Sequence, residues 1–233
     1  MTEKPKGGVT VLIAGFRPSG RRFRGTAAAL LSMLDVEPPG GAAIRTLLLP
    51  EASDDALLKA IETMDHYLPD AVIVLGEAEG QATVAIERVA VNVDGGKSGD
   101  APSAADKGDP IDAAGPAGYF ATLPVQQIVD RMRAGGVPAR LSSGSGPSME
   151  NRLFYGLLHY VALRGGETWF NRQPPAGLVS RVGLICIPPT TDEVAGAASM
   201  PVDVSLRGLK LAVAAIVEFL SPTDGGTAQP GTP

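Results

Sequence analysis

Apolar residues fall in short blocks separated by polar, glycine- and proline-rich breaks, and the blocks are of two kinds. Ile44–Leu49 reads as a strand, and Val9–Ala14 (VTVLIA), Ala71–Leu75 (AVIVL) and Val182–Ile187 (VGLICI) are uninterrupted runs rich in β-branched residues. Such runs suit strands buried on both faces. Val84–Val93 alternates and reads as one further strand, and Ala139–Ser142 is a short extended piece after Pro138. Between them lie helical patterns over Gly25–Leu34, Asp54–Tyr67, Leu123–Ala134, Met149–Leu163 and Val204–Leu220. The second places Leu57, Leu58, Ile61, Met64 and Leu68 on one stripe; the fourth places Leu153, Phe154, Leu157, Leu158 and Val161 on one face. Strands alternating with helices of this length predict an α/β fold. It is a three-layer α/β/α sandwich around a central, largely parallel twisted sheet. In such sheets sites form beyond the carboxyl ends of the strands, here Gly15, Gly76, Ser142 and Ile187.

Composition narrows the class. The chain has 233 residues, 44% hydrophobic and 19% charged, which is enough apolar material for a core. No apolar run approaches the roughly 20 residues that span a bilayer, so no membrane association is expected. The net charge of −5 leaves no basic footprint for nucleic acid. A single cysteine, Cys186, excludes an intrachain disulfide and fits a cytoplasmic protein. Glycine and proline, 29 and 20 residues, concentrate in particular stretches. Residues 1–8 read as a flexible start, 94–116 as a long surface loop and 221–233 as a disordered tail, leaving one domain over 9–220. Lys4 and Lys6 before Val9–Phe16 mimic a signal peptide, but Arg17, Arg21, Arg22 and Arg24 follow at once without a small-residue cleavage site.

Six segments then combine in order. They are VLIAGFRPSG at the first strand and turn, GEAEGQATVAIERVAVN (Gly76–Asn92), GPAGYFATLPV (Gly115–Val125), GGVPARLSSGSGPSMEN (Gly135–Asn151), FYGLLH (Phe154–His159) and VGLICIPPTTDEV (Val182–Val194). Together they resemble the pyroglutamyl peptidase family, from about Val9 to Leu220. The resemblance implies a cytosolic cysteine peptidase that removes N-terminal pyroglutamate, without a cofactor. A Cys nucleophile, a His base and a Glu orienting the His would carry it. It also implies a peptide or small pyrrolidone-like ligand and a homo-oligomer.

Carried over residue by residue, the family Glu falls on Glu87, the Cys on Glu150 and the His on Cys186. Phe16 keeps one of the two ring-holding positions and Ser19 takes the other; Glu77 and Asn151 complete the expected substrate-binding set. The residues themselves leave alternatives open. Glu87 is either an orienting group or a carboxylate paired with Arg88 or another arginine. Glu150 is either a general base or a first-turn acid that favours the helix terminus, with Ser148 as N-cap. Cys186 is either a relocated nucleophile or a small buried hydrophobe whose thiolate two nearby carboxylates suppress. The three together lack a histidine, so no metal is expected. Gly144 and Gly146 resemble a turn that offers amides to an oxyanion. His66 and His159 are poor replacement bases; His159 lies nine residues along the helix from Glu150, roughly 13 Å away. Trp169 and Phe170 would cover an edge or meet another subunit. The expectation is that the family activity is impaired or lost. The alternatives are an active peptidase or amidohydrolase with a rearranged Glu/Cys site, and a non-catalytic ligand-binding or assembly protein.

Overall fold

The computed structural model describes residues 8–18, 25–34, 41–50, 53–94, 108–144, 146–163, 180–191 and 198–221. Ser19, the arginines at 21, 22 and 24, residues 95–107 of the long loop, Trp169, Phe170, the first seven residues and the tail beyond Ser221 lie outside them.

Strand β1 (Thr10–Phe16) is followed by α1 (Thr26–Leu34), β2 (Ala43–Leu49), α2 (Ser53–Tyr67) and β3 (Ala71–Glu77). Then come β4 (Val84–Glu87), β5 (Val89–Val91), β6 (Gly118–Phe120), α3 (Val125–Ala134), β7 (Ala139–Ser142), α4 (Met149–Ala162), β8 (Arg181–Ile187) and α5 (Val202–Leu220). Six strands form one sheet in the order β2-β1-β3-β8-β4-β7. Every neighbouring pair is parallel except β4 against β8. The uninterrupted apolar runs are explained by burial on both faces. Val11, Ile13, Ile73, Leu75 and Ile185 pack with α1, α3 and α5, while Leu12, Ala14, Val72, Val74 and Leu184 pack with α2 and α4. The expected three-layer α/β fold with its mostly parallel sheet is what forms.

Four readings of the pattern change. Val84–Val93 is two strands. After Glu87 the chain leaves the main sheet at exposed Arg88, whose amide donates to Ser142 O (2.9 Å) and whose carbonyl accepts from Ala121 N (2.8 Å). The continuation, β5, pairs antiparallel with β6, a strand that the pattern gave no reason to expect. The α2 stripe omits Leu58 and Leu68, both exposed, and is formed instead by Leu57, Ala60, Ile61 and Met64. Leu68 lies past the helix end in a left-handed conformation, φ 45°, with its amide still bound to Met64 O. Helix α4 buries every residue from Met149 to Val161, because β3, β8, α2 and the β5–β6 ribbon all pack around it. Finally, β4 and β7 run opposite to the other strands, so Ser142 ends on the other edge of the sheet from Gly76 and Ile187.

Candidate functional site

Strand register places three of the singled-out residues on one face of the sheet. Gly76 lies opposite Cys186 in the parallel β3–β8 pair. Ala85 lies opposite Cys186, and Glu87 opposite Leu184, in the antiparallel β4–β8 pair. Directly paired residues share a face and residues two apart keep it, so Gly76, Cys186 and Glu87 all face α4. Helix α4 supplies Glu150 in its first turn, at an end fixed by Ser148, whose hydroxyl accepts from Asn151 N at 3.0 Å. Gly76 makes the meeting sterically feasible. A Cβ there would come within 3.0 Å of Glu150 Cγ and 3.1 Å of Cys186 Sγ.

Glu87 is 2% exposed. The Ser142 side chain and the Gly144 backbone hydrogen-bond to it, and Arg140 lies within electrostatic reach; all three favour the ionised form. Burial outweighs them and pushes the carboxyl above its ordinary value. Its Oε2 atom is buried without a hydrogen-bond partner among the described residues. The arginine that faces Glu87 is thus Arg140, on the neighbouring edge strand, and not the sequence neighbour Arg88. The Gly144 backbone, expected to serve an oxyanion, is already engaged by Glu87.

Cys186 is 7% exposed. Burial, then Glu87, then Glu150 push its thiol well above the ordinary value, with Arg140 opposing weakly. Glu150 is 8% exposed, and among the described residues its carboxylate makes no hydrogen bond or ion pair. Among those residues, no three His, Cys, Asp or Glu side chains are placed to hold a metal ion.

The expected binding residues are placed as follows. Phe16 ends β1 and is packed in the α2–α4 side of the core. Glu77 ends β3, its Oε1 accepting from Gly25 N at 3.2 Å. Asn151 is wholly buried. Its Oδ1 accepts from Val91 N (3.0 Å) and its Nδ2 donates to Val91 O (2.9 Å) and Val93 O (3.4 Å), so its amide extends β5 like a further strand residue.

One constellation joins residues that the sequence gave no reason to bring together. His159 Nε2 lies 3.0 Å from Asp112 Oδ2, and its Nδ1 lies 2.7 Å from the Tyr119 hydroxyl. With Nε2–H donating to the carboxylate, Nδ1 accepts the tyrosine proton. Tyr155 stacks on the imidazole at 5.8 Å and 11°, and its hydroxyl donates to Pro116 O. Burial and Asp112 push the Tyr119 phenol upward, so it holds its proton. The segments GPAGYFATLPV and FYGLLH carry Tyr119, Tyr155 and His159, but nothing in the sequence linked them to one another or to Asp112.

An α/β protein with a mostly parallel six-stranded sheet, carrying two buried carboxylates and a thiol under the start of one helix, is the class that fold and site define. A family model described as pyroglutamyl peptidase matches residues 9–219, and the chain belongs to that family. It is 36% identical over 204 residues to a pyrrolidone-carboxylate peptidase of Chromobacterium violaceum, covering 88% of this chain and 90% of that one. It is 38% identical over 208 residues to the Cupriavidus taiwanensis pyrrolidone-carboxylate peptidase, covering 88% and 91%. Among solved structures, pyroglutamyl peptidase I of Bacillus amyloliquefaciens matches with a TM-score of 0.76 and 28% identity, over 90% of this chain and 97% of that one. The Thermococcus litoralis pyrrolidone carboxyl peptidase matches with a TM-score of 0.75 and 26% identity, over 91% and 94%. No helix of the described residues is long and apolar enough to cross a membrane.

Proposed function

We propose that this chain is a pyroglutamyl-peptidase-family protein that has lost the cysteine-type removal of N-terminal pyroglutamate, and that Glu87, Glu150 and Cys186 line a cleft kept as a ligand site. The observation that carries this reading is the exchange of groups at the cleft. The helix start that would present the thiol carries Glu150, and the thiol, Cys186, sits in a buried strand between two carboxylates. Nucleophilic cysteines need a lowered thiol pKa, which a helix N-terminus or a neighbouring cation supplies. Here burial and two negative charges act the other way. Glu87 keeps its place, but no imidazole stands beside it to orient. In this reading Phe16, Ser19, Glu77 and Asn151 are the binding positions, the ligand is a peptide or small pyrrolidone-like molecule, and the protein is a cytoplasmic homo-oligomer.

The purified protein should not hydrolyse pyroglutamyl-aminomethylcoumarin. Turnover that iodoacetamide abolishes, and that disappears in Cys186→Ala, would overturn the proposal. A second reading is supported by the unpaired carboxylate of Glu150, which together with the upshifted Glu87 acts on Cys186. Such a pair can divide base and acid roles on a bound water. It predicts slow turnover that iodoacetamide leaves intact and that Glu150→Gln removes.

A further inference from the structure

The polar inventory of the cleft is unbalanced. Glu87 Oε2, at a residue 2% exposed, has no hydrogen-bond partner among the described residues. Glu150 contributes two more carboxylate oxygens without a donor among the described residues, and these, unlike Glu87 Oε2, keep contact with solvent. Among the described residues, the cation in reach of Glu87 and Cys186 is Arg140, which is half-buried and donates through Nη2 to Gln81 Oε1 at 3.3 Å. The Cys186 thiol, buried and also without a partner, offers one weak donor. Among the described residues, acceptors therefore outnumber donors in a place where a buried carboxylate oxygen left unpaired carries a desolvation penalty.

A neutral lactam matches this poorly, because its single N–H donor comes with a carbonyl acceptor that the carboxylates repel. A metal ion would need three converging ligands, and the described residues offer no such group. An ammonium brings a positive charge and two or three donors with no acceptor. We infer that the cleft bounded by Glu87, Glu150 and Cys186 binds the charged amino terminus of a peptide or amino-acid amide, and prefers it to the neutral pyroglutamyl ring. This rests on the reading of the cleft as the ligand site. The best-fitting member of the class is an N-terminal proline, whose five-membered ring carries a secondary ammonium where pyroglutamate carries a lactam.

The test compares matched five-membered rings by isothermal titration at pH 7. L-prolinamide carries the charge, L-pyroglutamamide has the lactam, and N-acetyl-L-prolinamide has the ring without the charge. We expect L-prolinamide to bind at least tenfold more tightly than either neutral ligand. Glu150→Gln should weaken it at least tenfold while leaving the circular dichroism spectrum unchanged, and Glu87→Gln should do the same where that variant folds. Binding of L-pyroglutamamide alone, or equal binding of L-prolinamide to Glu150→Gln, would overturn the charge preference and leave the ligand cleft standing. If no ring binds, the cleft reading falls together with the inference.

Discussion

Cys186 and the two carboxylates around it set the chemistry at the scale of single residues. A thiol that is buried and faces negative charge stays protonated, and its reactivity follows its thiolate fraction. Iodoacetamide should therefore label Cys186 of the folded protein far more slowly at pH 8 than after unfolding. Removing one charge should lower the thiol pKa, so Glu150→Gln should speed labelling of the folded protein several-fold. Unchanged labelling in that variant would mean that exclusion of the reagent, and not charge, protects the thiol. These three residues were legible in the sequence because each falls inside a short collinear motif. The cluster of Asp112, Tyr119 and His159 was not, since Asp112 lies in none of the motifs and the resemblance gives Tyr119 and His159, which lie in two of them, no role. His159 in particular was set aside for its distance along α4 from Glu150, a measure blind to what packs beside it.

At the scale of elements, the β5–β6 ribbon depends on contacts that no periodicity encodes. Three-residue strands are too short to be stable alone. The ribbon is held against α4 by the Asn151 amide on Val91 and Val93 and by Tyr119 on His159. Asn151→Ala should destabilise the protein by about 1–3 kcal/mol, since a half-buried backbone donor and acceptor would lose their partner inside the fold. Amide exchange should accelerate first at Val91 and its β6 neighbours; uniform acceleration across the sheet would argue that the ribbon is no separate unit. The alternation of Val84–Val93 could not show the break at Arg88, because the pattern continues while the hydrogen-bond partners change. Helix α4 misled in a related way. Its apolar stripe is real, but the polar positions Asn151, Arg152 and His159 are buried as well, each with partners inside the fold. Arg152, for instance, forms ion pairs with Asp54 and Asp94.

At the scale of the whole molecule, the buried Glu87 ties stability to pH. Its carboxyl is raised in the folded state above the ordinary value of 4.5, so the folded chain holds a proton that the unfolded chain releases. The stability it contributes is fully present below about pH 4.5 and is lost as pH rises through the folded value. Glu87→Gln abolishes this titration. Relative to the native chain, the variant should gain stability as pH rises through that window, as read from urea midpoints between pH 4 and 8. A difference independent of pH would show that Glu87 titrates alike in both states. The sheet and its layers were legible because both-face burial leaves continuous apolar runs. The direction of β4 was not, since a four-residue apolar strand reads the same in either sense.

That reversed direction also determines how the cleft could change. Residues that follow β3 or β8 move outward from the sheet edge as those strands lengthen. Glu87 instead enters from the far side, level with Leu184 and not with Ile187. The depth of Glu87 is thus set by β4 and its neighbour β7, and it does not depend on how far β3 and β8 extend.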